Sequence, residues 1–276
     1  MGLRIGTNIA SMAAQRNLQK TSVDEQKIFS RLASGNRITS AGDDAAGLSI
    51  SENLHAQIRS MKQAERNAND GISFVQVAEG GLSEVGNILV RMRELSIQAA
   101  SDTIGDRERG FIDKEWQSLK QEIDRIANVT NFNGTTLLNG QAPKNLEFQV
   151  GARNAEADRI NFSVKEYDVR TDALGIDGIT AKSVSSARDS IDKLDEAISR
   201  VTGSRAGLGA MQNKLQSTVN NLSIAKENLS NARSRVMDAD IAEEATAMAQ
   251  KQILNHAGIS VLAQANSSPQ LALKLL

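Results

Sequence analysis

Along most of this chain, apolar residues recur in steps of three and four. From Ala45 to about Ala99 the row runs through Leu54, Ile58, Met61, Ala68, Ile72, Val75 and Leu82, with Glu65 and Glu79 in the same register. The phase then slips and resumes at Val85, Leu89, Met92, Leu95 and Ala99. Heptad spacing sustained this far predicts a coiled-coil-like helix about 80 Å long. A looser stripe precedes it over residues 5–32, and "LASGNRITSAGDDAAG" separates the two, with Gly35 and Asn36 as a stop and Ser40 or Asp43 as the next N-cap.

Beyond "SDTIGD", Ile112, Trp116, Leu119, Ile123 and Ile126 predict a second, shorter helix, which gives way to the turn-rich "NVTNFNGTTLLNGQAP". Leu146, Phe148 and Val150, then Ile160, Phe162 and Val164, alternate with polar residues; that period of two predicts a β-hairpin. A third long helix starts near Val184 and keeps its row to Val236, although Gly203, Gly207 and Gly209 suggest a bend or a close helix approach. The last helix starts near Asp240, with a stripe of Ile241, Ala245, Met248, Leu254, Ala257, Val261 and Ala265.

These elements imply a mainly α fold: a long antiparallel coiled-coil-like helical bundle with a β-hairpin, plus a terminal two-helix coiled coil formed by both chain ends. The boundaries fall at residues 1–42 and 235–276 for the terminal pair, and 43–234 for the bundle, with the hairpin at about 145–165. Folding back would bring the two ends side by side.

Composition narrows the chemistry. With 3% aromatic residues and two prolines among 276, the interior is expected to be built from Leu, Ile, Val, Met and Ala. The absence of Cys excludes disulfides, thiol nucleophiles and thiolate metal sites. No run approaches the ~18 apolar residues of a membrane span, and the opening "MGLRIGTNIASMAAQRN" is not patterned as a cleavable signal. A net charge of −1 without basic tracts argues against nucleic acid as a partner. Residues 1–42 nevertheless carry six basic side chains against two acids, and residues 235–276 four acids against three bases. That balance favours pairing of the two ends, each exposed ion pair contributing about 0–1 kcal/mol.

Only two histidines exist, His55 and His256, on opposite arms, and neither belongs to a metal-binding motif. Asp238, Asp240, Glu243 and Glu244 lack the glycine and the twelfth-position Glu of a calcium loop, and are read as acids at a helix start. Neither "GDDAAG" nor "GSRAGLGA" has the context of a phosphate loop. The inventory implies no enzyme, cofactor or metal. The positive feature is physical: from Leu254 to Leu276 the only full side-chain charge is Lys274. Apolar residues lie on more than one side of the terminal helices, more than one partner covers, and contiguous apolar surface of that kind marks an association site.

At this point the chain resembles bacterial flagellin from end to end. The motifs are "RIGTNIASMAAQRNL", "RLASGNRITSAGDDAAGLSI" and "RNANDGISFVQVAEGGL" in the first arm, and "LGAMQNKL", "NLSNARSRVMDADIAEE" and "QILNHAGISVLAQANSSPQLALKLL" in the second. The resemblance implies a self-polymerising filament subunit, extracellular in the flagellum, whose termini form an inner coiled coil. Ile5, Ile9, Met12, Leu254, Val261, Leu262, Leu271 and Leu275 are then the candidate polymerisation residues. It further implies export through the flagellar type III apparatus without a cleaved signal peptide, a chaperone on the C-terminal arm, and contacts with filament cap and hook-junction proteins. "VRMREL" resembles the stretch sensed by a Toll-like receptor, which implies roles for Arg91, Leu95 and, on the next helix, Glu115; Val90 and Gly207 depart from that pattern. Few residues separate Val164 from Val184, so the outer domains of longer relatives are expected to be missing. A hook–filament junction protein shares the terminal arms and is the alternative; the motifs across both arms favour the filament subunit.

Overall fold

The structure, a computed structural model, describes residues 7–141 and 146–273, with side chains as far as residue 267. Its helices are α1 (Ile9–Ser34), α2 (Ala45–Ala99), α3 (Asp106–Val129), the single turn α4 (Thr171–Leu174), α5 (Val184–Met237) and α6 (Ile241–Leu273). Helix ends follow local chemistry. Asn8 accepts the Ser11 N–H at the start of α1, and Gly35, at φ 71°, closes its end by donating to Arg31 O.

The cap of α2 is Asp44, whose Oδ1 accepts the Gly47 N–H at 2.8 Å. This corrects the expected Ser40 or Asp43. Asp43 instead closes the preceding turn, taking hydrogen bonds from the Thr39 hydroxyl and from the Thr39 and Ser40 N–H groups.

The chain packs as two units, Arg59–Lys226 and the combined terminal segments Met1–Ile58 with Glu227–Leu276. In the first, the buried row of α2 passes through Ala64, Ala68, Gly71, Val75, Ala78, Leu82, Val85, Leu89, Met92, Ser96 and Ala99. That row alternates steps of four and three without interruption, so the predicted phase slip does not exist. Small residues at Gly71 and Ala78 carry the seam, and the more conspicuous Ile72 and Glu79 flank it, half-buried. The antiparallel partner is α5: Arg93 binds Asp195, and farther along Lys226 binds Glu65 at 2.6 Å. Helix α3 docks through Trp116, fully buried, whose indole N–H donates to Ser96 Oγ at 3.1 Å.

Helix α5 runs unbroken through its three glycines; Gly207 approaches Tyr167, while Gly203 and Gly209 face open space. Buried Arg109 joins α2 to α3, donating to Ala99 O, Ser101 O and Ile104 O and pairing with Asp106. The guanidinium therefore satisfies a carbonyl left over at the C-terminus of α2 and reaches two more in the loop that follows.

Strands β1 (Asn131–Phe132) and β2 (Thr135–Thr136) form a tight hairpin turned by Asn133 and Gly134, both at positive φ. Two-residue strands carry no detectable alternation, so this hairpin read as turns in the sequence. Strands β3 (Leu146–Gln149) and β4 (Arg159–Phe162) are the predicted hairpin, antiparallel with Leu146 opposite Phe162 and Phe148 opposite Ile160.

The expectation of an interior without rings needs correction. Phe74 meets Phe132, Phe148 and Phe162 edge-on at 5.7, 5.4 and 4.8 Å, and Phe162 stacks on Tyr167 at 4.8 Å. The few aromatics are gathered in one place, where edge-on pairs add to their burial. Between β4 and α5 lie only a 3₁₀ turn (Val164–Tyr167) and α4. The short connection leaves no room for an outer domain.

Candidate assembly surface

Within the terminal unit, α1 and α6 run antiparallel. Asn8 Nδ2 donates to Ala265 O, Ser11 Oγ to Asn266 Oδ1, and Asn255 Nδ2 to Glu25 Oε2. Lys251 Nζ donates to Asp24 Oδ2 at 2.7 Å, and Arg31 Nη1 to Glu244 Oε1 at 3.1 Å. At the joint end, Arg37 N–H donates to Met237 O and Ala239 N–H to Gly35 O, forming an antiparallel bridge between Asn36 and Asp238. Ile28, Ile38 and Met237 are buried nearby.

The in-chain seam is therefore not the apolar stripe that the sequence suggested. On α6 the less exposed row is Glu244, Met248, Lys251, Asn255, Gly258, Leu262 and Ala265, polar or small at most positions. On α1 it is Ser11, Ala14, Leu18, Thr21, Glu25, Ile28 and Leu32. Close approach at Gly258 and the cross-helix hydrogen bonds turn the expected Leu254, Ala257 and Val261 away from α1.

The consequence is a large uncovered apolar surface. Ile9, Met12, Val23 and Phe29 on α1, and Ile241, Ile253, Leu254, Ile259 and Val261 on α6, are each between 47 and 69% exposed. Leu262 is half-buried on the in-chain seam. Ile5 and Leu275 lie outside the described residues, as does the side chain of Leu271.

The other predicted residues are placed as follows. Arg91 reaches from α2 to Glu115 on α3, with Nη2 2.9 Å from Oε1, and also binds Glu94 on its own helix; all three are exposed. The two carboxylates raise the Arg91 pKa, Glu115 through its hydrogen bond being the larger influence. Leu95 is only 2% exposed and packs in the bundle core. His55 lies 3.8 Å from Glu52, and His256 is exposed. Asp240 caps α6 by accepting the Ala242 N–H at 2.9 Å, and Glu244 is engaged by Arg31, so these acids serve helix initiation and pairing. Among the described residues no group of three or more His, Cys, Asp or Glu is placed to hold a metal ion, and no helix is long and apolar enough to cross a membrane.

Long helices whose mutual pairing leaves apolar rows uncovered are the build of a structural, self-associating protein. The chain belongs to the bacterial flagellin family: residues 5–142 match the flagellin N-terminal helical region and residues 191–276 its C-terminal helical region. It is 42% identical to the flagellin of Halalkalibacterium halodurans over 272 residues, covering 99% of both chains. It is 41% identical to the flagellin of Bacillus subtilis, covering 99% of this chain and all of that one. A flagellar filament 33 kDa core protein of Treponema phagedenis is 39% identical, with 99% of both chains covered.

Among solved structures, the crystal structure of Bacillus cereus flagellin matches with a TM-score of 0.51 and 34% identity, over 57% of this chain and 88% of that one. A flagellar hook-associated protein of Vibrio parahaemolyticus matches with a TM-score of 0.59 over 71% of this chain and all of that one; at 16% identity the likeness is one of fold alone. The protein is a short flagellin, a structural subunit that polymerises into the flagellar filament.

Proposed function

We propose that polymerisation proceeds by burial of the exposed apolar rows of α1 and α6 between subunits. Segments 1–42 and 235–276 form the inner coiled coil of the filament, and residues 43–234 the helical bundle around it. Ile9, Met12, Leu254 and Val261 are then intersubunit contacts, joined by Ile5, Leu271 and Leu275, while Leu262 holds the arms together within one chain. The supporting observation is the half-exposed state of the large apolar side chains on both arms. Burying one such side chain is favourable by about 1.5–3 kcal/mol, and a repeating head-to-tail contact that does not close yields a filament.

Removal of residues 254–276 tests this. The truncated protein is expected to keep the helicity of the bundle and to form no filaments under conditions where the intact chain does. Normal filaments in electron micrographs of the truncated protein would reject the role of the tail.

The same reading includes extracellular placement after type III export, a chaperone covering the C-terminal arm before assembly, and contacts with cap and hook-junction proteins at the filament ends. Toll-like receptor recognition would use the exposed Arg91–Glu115 pair, with Leu95 acting from the core to hold that surface in place.

A further inference from the structure

Two cross-arm ion pairs have opposite polarity and equal spacing. Asp24 on α1 binds Lys251 on α6, whereas Arg31 on α1 binds Glu244 on α6. Asp24 and Arg31 are one heptad apart, and so are Glu244 and Lys251. The helices run antiparallel, so both pairs form in one alignment.

Heptad helices have a natural alternative: sliding by one heptad, about 10 Å of helix rise, restores the facing of the same seam positions. A slide in one direction would set Asp24 against Glu244. A slide in the other would set Arg31 against Lys251. Both neighbouring alignments bring like charges together at positions where the native one brings opposites together.

At its two ends the seam also carries the Asn36–Asp238 backbone bridge and the Asn8 and Ser11 hydrogen bonds to Ala265 and Asn266, which hold the same alignment. Its remaining residues are small or uncharged at most positions, and Glu25 opposes the neutral Asn255. Leu18, Ile28, Leu32, Met248 and Leu262 pack along the seam, while the larger apolar rows point outward. To these contacts the charge order adds a discrimination of its own, through repulsion in the wrong alignments as much as attraction in the right one.

We infer that Asp24, Arg31, Glu244 and Lys251 form a charge code that sets the register of the two terminal arms. It thereby aligns the outward apolar row of α1 with that of α6 before neighbouring subunits cover them. The inference rests on the assembly reading for the importance of that alignment. These are positioning residues, which act through their contacts with each other.

The absence of native cysteine allows a direct test in the full-length chain. Leu18→Cys with Gly258→Cys reports the native register. Leu18→Cys with Ala265→Cys reports one slipped register, and Ser11→Cys with Gly258→Cys the other. Each pair is oxidised in salt-induced polymer and in the unpolymerised fraction. With native charges, only the first pair is expected to cross-link efficiently.

Exchanging the C-terminal charges, Glu244→Lys with Lys251→Glu, makes both native contacts repulsive and a contact in each slipped register attractive. The native cross-link is expected to fall about tenfold or more, with a slipped one appearing or the arms failing to pair. Adding Asp24→Lys and Arg31→Glu inverts both pairs and is expected to restore the native cross-link. Persistence of that cross-link after the C-terminal exchange, or its failure to return in the fourfold variant, overturns the code. Absence of filaments from the intact, native-charge chain would instead count against the assembly reading, and the cross-links would still report register.

Discussion

Gly258 on α6 lies so close to Leu18 on α1 that a Cβ built on it would stand 3.0 Å from Leu18 Cδ1. The obstacle is the tip of a flexible side chain rather than backbone, so a methyl group is accommodated by a small shift of Leu18. Alanine also gains about 1 kcal/mol in helix propensity over glycine. Gly258→Ala is thus expected to change the critical concentration for polymerisation by no more than about fivefold, equivalent to about 1 kcal/mol. Gly258→Leu is expected to separate the arms and abolish filaments, and Leu18→Ala to restore them in that background. Sedimentation of polymer across a concentration series checks all three.

Arg109 holds the junction of α2 and α3 with its side chain 4% exposed. Arg109→Met fills similar space but leaves the carbonyls of Ala99, Ser101 and Ile104 without their donor. The expected loss is about 2–4 kcal/mol of bundle stability. Urea unfolding monitored by Trp116 fluorescence measures it; an unchanged midpoint would show that the guanidinium contributes nothing net.

Phe74 contacts three other phenylalanines from the helical layer, including both strands of the longer hairpin through Phe148 and Phe162. Phe74→Ala is expected to cost about 3–5 kcal/mol. Because the rings are concentrated there, the near-ultraviolet circular dichroism should collapse while helicity persists. Phe111→Ala, at an exposed ring, should leave the stability of the bundle within about 0.5 kcal/mol.

The Asp43 carboxyl is held at about 2, chiefly by the hydrogen bond from the Thr39 hydroxyl and then by the Thr39 N–H. A folded-state pKa below the unfolded value means that this contribution is present above about pH 4, near the unfolded carboxyl value, and is lost as the pH falls through about 2. The Thr39 and Ser40 amide resonances are expected to stay native-like at pH 4 and to shift on acidification toward pH 2. Asp43→Asn should remove that titration and weaken the turn before α2 above about pH 4, the difference from the native chain vanishing toward pH 2. A Thr39 amide transition centred near pH 4 would contradict the depressed pKa.

The long helices, the joint between α1 and α2 and the longer hairpin were legible because each repeats one local rule over many residues. Rows such as Leu82, Val85, Leu89 and Met92 are hard to read as anything but a helix face. The alternation through Phe148 and Ile160 marks strands just as directly. Shorter features escaped: the β1–β2 hairpin spans too few residues to alternate, and Asp44 could be told from Asp43 as the cap only by which carboxylate faces the Gly47 N–H.

The sequence by itself determined that this is a chain of long helices with more apolar surface at its ends than one partner covers. Only the tertiary structure decided which surface that is. Periodicity measures how apolar residues are spaced around a helix, and it ranks the greasiest stripe first. It does not contain the identity of the neighbour. At the terminal pair the neighbour is reached through a glycine, a leucine tip and charged hydrogen bonds, so the seam mixes polar and small residues with a few apolar ones. Leu254 and Val261 are thereby left facing outward, about half exposed within one chain.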